Sequence, residues 1–373
     1  MIGVGYEWIC RGGSVSLAAW LGSLPLIFWY FHLITPSSIF ANLLVVPIAF
    51  FILAIALLSL VVAPVAAGMS LIFNNANWSL ATAVIAFVQW FAQLPASHYY
   101  VAEPHWPKKL RAKITVLDLG AGAAVHIRAS RANWLFDCGS DRDYERVLRP
   151  YLHAAGINRI DGLLLTHGDS LHIGGTENLL RDLVPIVLID NPATDRSTVH
   201  RRLREILPSH RVNLLSLKTG EDSHISSNVT GRILFPPADF TGSTADDQAF
   251  VVQLFVGPVK ILFMSDSGDA TEKSLVGSGV DLRSDILIKG QHHSGKSGSD
   301  NFLDAVQPRL IVATSRDFPQ QERISDERAE SVRVRGIKLF RQDETGAVEM
   351  EFDESEWQAR TYLTDEIFRS PNR

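Results

Sequence analysis

Three segments of the chain bring histidines and carboxylates together at spacings that could hold a divalent cation. GLLLTHGDSLHIGG places His167, Asp169 and His172 in a loop behind an apolar run, with two glycines following. KILFMSDSG ends a second apolar run on Asp266, and DILIKGQHHSGKSGS ends a third on the adjacent His292 and His293. Imidazole and carboxylate together suit Zn or Mn, and Mn is favoured as the oxygen share rises. Each segment also has a plainer reading. A His-x-Asp loop is often a turn closed by an Asx hydrogen bond, Asp266 could cap a turn or helix, and paired histidines in a Gly/Ser-rich loop could be solvated. What favours a site is that all three fall just behind an apolar strand. His126, His153, His200, His210 and His224 lack that context and read as structural or surface residues.

The elements that must position these residues begin near Lys113. ITVLDLG, AVHIRA, NWLFDCG, GLLLTHG, PIVLID, GRILF, FVVQLFVG, KILFMSD, DILIKG and RLIVATS read as strands, and YERVLRPYLHAAG, GTENLLRDLV, STVHRRLREILP and SDNFLDAVQP as helices. Strand pairs alternating with helices predict a layered α/β domain with a strand-built interior. GIKLFR and AVEMEFD add strands near the C-terminal end of the same domain.

The first part of the chain is a different material. Between Arg11 and Glu103 lie 91 consecutive residues without Asp, Glu, Lys or Arg, although the chain as a whole is 20% charged. A soluble helical core needs polar faces, so this stretch reads as membrane-embedded. Residues 14–34 form one apolar segment and residues 39–62 a second with Pro47 inside it, each about long enough to cross a hydrocarbon core of roughly 30 Å. A kink is expected at Pro47. Residues 79–94 carry Gln89 and Gln93 and are short, which leaves a span, a re-entrant segment or an interfacial helix open. The start MIGVGYEWIC has no basic region and does not read as a signal peptide. Lys108, Lys109, Arg111 and Lys113 follow the last apolar segment and by themselves favour a cytoplasmic polar half, a weak vote because they open a long domain. The expected organisation is a membrane domain at 1–102, a basic linker at 103–112 and an α/β domain at 113–373.

The net charge of −5 falls entirely in the polar half, because Glu7 and Arg11 cancel, so no overall basic field draws nucleic acid there. Lys289 and Lys296 flank the histidine pair and read as solvated, although they could meet phosphate. Cys10 and Cys138 are too few for a disulfide framework.

Taken in order, LDLGAGAA (117–124), LFDCG (135–139), LTHGDSLHIGG (165–175), LFMSD (262–266) and HHSG (292–295) resemble the metallo-β-lactamase-type domain at the C-terminal end of ComEC competence proteins. SVSLAAWLGSLPLIFWYFHLITPSSIFANLLVVPI is similar to the late part of that family's membrane domain. The resemblance implies an α-helical transmembrane segment followed by an αββα sandwich, in a multi-pass protein of the bacterial inner membrane. It further implies DNA as partner, single-stranded in transit, beside membrane lipid and other competence-channel components. The earlier helices and an earlier soluble domain of the family lie outside the resemblance, so the chain reads as a truncated or split member, with a separate chain as one source of the missing part.

For the site, the resemblance implies that His167 and Asp169 belong to one metal position and His172 with His292 or His293 to the other, Asp266 lying between them. Asp169 and Asp266 are the implied catalytic carboxylates. The cation would lower the pKa of bound water to about 7 and polarise a phosphoryl or carbonyl oxygen. Leu171 departs from the pattern where the family has a metal-binding Asp, Ala121 and Ala123 replace polar residues, and Ser265 replaces the glycine before Asp266. Three readings are therefore open: a metal-dependent nuclease on a DNA channel, a channel or binding component with a degenerate hydrolase domain, and a membrane-anchored small-molecule metallohydrolase.

Overall fold

The computed structural model describes residues 2–94, 96–102, 110–193, 197–238, 240, 242, 244–295, 297–315 and 323–371. The chain divides into two compact units, Met1–His105 with Leu152–Asn158, and Trp106–Tyr151 with Arg159–Arg373.

The first unit is built on three helices, α1 (Ile2–Phe31), α2 (Ser38–Val62) and α3 (Ala67–Ala92), with a short antiparallel ladder of β1 (Leu33–Ile34) and β2 (Tyr99–Tyr100). All three are long and apolar enough to cross a membrane. The large apolar side chains Phe40, Leu60, Ile72 and Trp78 are exposed, an arrangement suited to lipid and costly in water. Helix α2 runs unbroken through Pro47. Helix α3 corrects the short reading of residues 79–94, because it begins at Ala67 and includes Asn74, Asn75 and Asn77. Those asparagines look like loop residues in the sequence. In an apolar solvent, however, the backbone must bond to itself, and a polar side chain finds a neighbouring helix. Ser59 Oγ on α2 accordingly lies 2.8 Å from Asn74 Oδ1 and 2.9 Å from Ser70 Oγ.

The second unit stacks two mixed sheets. The larger has nine strands: β3 (Ala112–Val116), β4 (Val125–Ala129), β5 (Ala132–Phe136), β6 (Gly162–Leu164), β7 (Val187–Ile189), β8 (Asn213–Leu215), β16 (Val348–Phe352), β17 (Glu356–Thr361) and β18 (Ile367–Pro371). The smaller has seven: β9 (Asp222–Ser226), β10 (Val229–Phe235), β11 (Val251–Val256), β12 (Val259–Phe263), β13 (Ile286–Lys289), β14 (Leu310–Ala313) and β15 (Lys338–Arg341). Each sheet changes from antiparallel to parallel pairing, at β5 in the larger and at β12 in the smaller.

Alternation along the strands decides which core each side chain enters. On β12, Ile261 and Phe263 join Ile114, Ile127 and Phe136 of the other sheet in the layer between the sheets. Leu262 points to the opposite face, where Leu287, Leu275, Phe302 and Val332 complete an outer layer with the helices Asp269–Gly277, Asp300–Val306 and Asp326–Val334. Phe136 and Phe263 meet edge to face across the interlayer at 5.5 Å between centroids. The segment expected as one helix over 144–156 is in fact a π-helical turn, Tyr144–Leu148, continued by the helix Arg149–Ala154.

Candidate metal centre

The candidate residues follow the C-terminal ends of parallel strands: Asp137 after β5, His167 to His172 after β6, Asp266 after β12, and His292 and His293 after β13. Strand ends leave backbone and side chains free to converge, as sheet interiors do not. The first loop is fixed by a buried carboxylate. Asp137 Oδ1 accepts the Thr166 backbone N–H at 2.8 Å, and Oδ2 accepts the Thr166 hydroxyl at 2.6 Å and bonds His172 Nδ1 at 2.7 Å. To aim there, Asp137 takes a left-handed backbone with φ of 57°, which a short polar side chain tolerates.

His172 is fully committed, since its Nε2 lies 2.9 Å from Asp266 Oδ2. Burial opposes its charge, but the Asp266 and Asp137 carboxylates outweigh burial and hold the imidazole well above its ordinary pKa. Asp266 is correspondingly lowered: burial would raise it, and the neighbouring His172 prevails. His167 moves the other way, pushed down by burial and by the adjacent His172.

The hydrogen bonds of His167 identify its tautomer. The single proton of the Thr166 hydroxyl goes to Asp137, so Thr166 Oγ1 accepts from His167 Nδ1 at 3.0 Å. Nε2 is left with its lone pair, buried and without a hydrogen-bond partner, 3.7 Å from Asp246 Oδ1. His167, Asp169 and Asp246 offer ligand atoms within 4.8 Å of one another, as do Asp137, His167 and His172, and Asp246, His292 and His293. A buried imidazole lone pair facing carboxylates is a set of acceptors that a divalent cation would satisfy, and these residues fit one.

The histidine pair divides. His292 is buried, its Nδ1 accepting the Ser294 backbone N–H at 3.2 Å, while Nε2 faces Asp247 Oδ1 at 3.3 Å outside hydrogen-bond geometry. His293 has a side chain 56% exposed and holds Asp246 Oδ2 through its backbone N–H at 3.2 Å and its Nδ1 at 2.9 Å.

Asp169 does what its plainer reading required as well as lining the site: its Oδ1 accepts the Leu171 N–H at 2.7 Å and caps the helix Ser170–Ile173. Leu171 itself is part-exposed and offers no ligand atom. Two glycines admit close approaches. A Cβ at Gly122, where φ is +77°, would lie 2.0 Å from the Leu171 carbonyl oxygen, and one at Gly290 would lie 1.7 Å from Asp266 Oδ1.

Lys289 corrects the solvated reading. It is buried, donates to the Ser267 carbonyl at 2.8 Å and pairs with buried Glu272 at 3.4 Å. Burial lowers its pKa against the opposing pull of Glu272. Lys296 lies outside the described residues. Among the other histidines, His126 bonds Tyr151 and Asn133, and His200 bonds Asp190, both as buried structural groups.

Sequence reasoning missed Asp137, Thr166, Asp246 and Asp247. The signal for Asp137 was present in LFDCG, an acid closing an apolar strand. Asp246 and Asp247 had a weaker one, two adjacent acids before the strand FVVQLFVG.

Stacked mixed sheets with histidines and acids at the strand ends define a metallo-β-lactamase-type domain, and residues 117–204 match the metallo-β-lactamase superfamily model. Residues 3–120 match the competence protein model, so the chain is ComEC-like: a competence-protein domain joined to a metallo-β-lactamase domain. It is homologous to competence protein ComA of Neisseria gonorrhoeae, 29% identical over 239 residues, covering 64% of this chain and 32% of the relative. ComE operon protein 3 of Bacillus subtilis (strain 168) is 22% identical over 263 residues, covering 64% of this chain and 33% of the relative. The chain thus spans about a third of the length of these curated relatives. Similar solved structures include the metallo-β-lactamase fold protein YhfI from Bacillus subtilis, 13% identical with a TM-score of 0.43, covering 61% of this chain and 95% of that one. Another is PqqB from Methylobacterium extorquens, 12% identical with a TM-score of 0.42, covering 61% of this chain and 97% of that one.

Proposed function

We propose that the chain is a multi-pass component of DNA uptake in the bacterial inner membrane, whose polar domain cleaves phosphodiester bonds of incoming DNA with a bound Zn or Mn. The observation that carries the reading is the buried Nε2 lone pair of His167, aimed at carboxylates with no hydrogen-bond donor between. The resemblance and the competence-family match support DNA as the substrate, single-stranded in transit, and support further channel components as partners.

When bound, the cation supplies Lewis acidity toward a phosphoryl oxygen and brings the pKa of water to about 7. The candidate ligands are His167, Asp169, His172, Asp266, His292 and His293. Asp169 and Asp266 are the proposed catalytic carboxylates. Asp266 is held ionised and oriented by His172, and its side chain keeps 18% of its surface open to solvent. Asp137 and Thr166 orient the two histidines of the first loop.

A second reading is an inert domain serving as a structural or binding part of the channel. Leu171, and the closure of both His172 nitrogens by carboxylates, favour it. Elemental analysis of the full chain in detergent, with Zn and Mn both offered and His167→Ala as control, separates the two. One or two equivalents lost in the control support the hydrolase and justify nuclease assays on single- and double-stranded DNA. A metal-free wild type rules the hydrolase out and leaves the inert domain.

A further inference from the structure

We propose that Asp246, from the turn before β11, supplies the third ligand beside His167 and Asp169, so that the centre holds one cation between these three side chains. The inference rests on the metal-dependent reading above and changes its ligand set.

The argument starts from which atoms are free. His172 has a carboxylate on each ring nitrogen, and His292 receives a backbone N–H on Nδ1, which places its proton on Nε2, toward Asp247. Neither presents a lone pair to an ion in this arrangement. His167 does: its Nδ1–H is spent on Thr166, and its Nε2 is buried in a side chain only 2% exposed. Of the carboxylates around it, Asp246 Oδ1 is 3.7 Å away, too far for a hydrogen bond and suited to sharing an ion. Asp169 completes the triad within 4.8 Å, with Oδ1 engaged at the helix cap.

The surroundings hold Asp246 in place. Asn191 Nδ2 donates to the Thr166 carbonyl at 2.5 Å and to the Gln248 carbonyl at 2.9 Å, stitching the His167 loop to the Asp246 turn. His293 donates to Oδ2 of Asp246 from backbone and ring, which leaves Oδ1 turned toward His167. His293 is thus a positioning residue, reaching the ion through Asp246, in the manner of outer partners that orient metal-ligating carboxylates. Asp247, one residue on, is tied to the Thr244 hydroxyl at 3.0 Å and faces His292, not the triad. Three protein ligands and an open position make up a hydrolytic cation site, whereas a closed four-ligand set is structural.

The test is Mn2+ binding to the EDTA-stripped full chain in detergent, with free Mn2+ read by electron paramagnetic resonance. The expected result is one equivalent, weakened at least about 100-fold by Asp246→Asn, about 10-fold by His293→Ala, and less than about 3-fold by Asp247→Asn. If the wild type binds and Asp246→Asn binds equally well, the inference falls while the metal-dependent reading stands. Equal losses in the two aspartate variants reduce the effect to net charge and also overturn it, as do two equivalents of similar affinity. No binding by the wild type overturns both. Should Asp246→Asn fail to fold, Asp246→Glu keeps the charge while lengthening the reach. The visible spectrum of the Co2+-loaded chain then shifts if residue 246 is a ligand, and an unchanged spectrum overturns the proposal.

Discussion

The loops after β6 and β13 each carry two histidines, and they use them in opposite ways. In the first, His167 and His172 are both buried, their ring centroids 4.2 Å apart, and their ring nitrogens are engaged through Thr166, Asp137 and Asp266, with only His167 Nε2 left over. In the second, the pair splits into a buried ring packed against Gly268 and an exposed ring that braces an acid of another loop. The adjacent histidines, in the turn closed by Gly295 N–H on the His292 carbonyl, part in burial, whereas His167 before the Asp169 cap and His172 inside the capped helix are buried together. On the proposed reading, the first loop presents a ligand and the second holds one in position.

The largest test of that contrast is Asp137→Ala. It strips the acceptor from Thr166 N–H, the Thr166 hydroxyl and His172 together, leaving a buried imidazole with one carboxylate. A loss of about 3–5 kcal/mol is expected, the range for breaking a buried charged pair. Thermal melting of the full chain in detergent should show a fall of roughly 10 °C. A fall under about 2 °C would mean that the first loop is no better fixed than the second.

Acid sharpens the same point from outside the site. His126 is also buried but, among the described residues, bonds Tyr151 and Asn133 and no carboxylate, so burial pushes its pKa down to about 4. Its folded value lies below its unfolded one. The associated stability is therefore complete above about pH 6.5 and is lost as pH falls toward 4, at about 1.4 kcal/mol per pH unit and about 3 kcal/mol in all. Relative to wild type, His126→Gln should flatten the melting temperature over that window. His172, raised by its carboxylates, makes no such loss on acidification through the same range.

Two glycines separate the loops at the level of backbone. Gly122→Ala drives a Cβ into the Leu171 carbonyl, which is main chain and cannot rotate away, and forces alanine to a positive φ. Gly268→Ala meets Cγ and Cδ2 of His292 at 2.7 Å, a contact that only a shift of the whole side chain relieves, but one with a side chain and not with main chain. About 2 kcal/mol or more is expected for the first and about 1 kcal/mol or less for the second, by chemical denaturation. The reverse order would show the second loop to be the rigid one.

The sequence reached as far as local patterns reach. The strands ILIK and LIVA, buried along their whole length, announce themselves as short apolar runs. Of the motif residues, His167, Asp266, His292 and His293 follow strand ends, as their positions behind apolar runs implied, while Asp169 caps and His172 lies within the helix Ser170–Ile173. The outer strands β17 and β18 were not visible, because EWQART and IFRSP face solvent on one side and carry charges there. Lys289 read as solvated because its partner Glu272 lies on a helix that GDATEKSLVG does not advertise. Asp137 and Asp246 escaped for a deeper reason. Their roles depend on a left-handed backbone at Asp137 and on two loops stitched by Asn191, and neither can be read from residues within one segment.

The smallest effect concerns Ser265, the residue that stands where the related pattern has glycine. Its φ of 49° explains that glycine, since the left-handed region costs an ordinary residue about 1–2 kcal/mol. Ser265 recovers part of the cost through its hydroxyl, 2.9 Å from Thr166 Oγ1, a bond worth about 1 kcal/mol net. Ser265→Gly removes strain and bond together, so stability should change by less than about 1 kcal/mol. Ser265→Ala keeps the strain and loses the bond, and should cost about 1 kcal/mol more than the glycine variant. Equal stabilities for the two variants would show that the backbone at 265 carries no strain and that the serine is held by its hydroxyl alone. A glycine variant less stable than wild type would mean that the bond to Thr166, and with it the arrangement that frees the Nε2 lone pair of His167, outweighs the backbone strain.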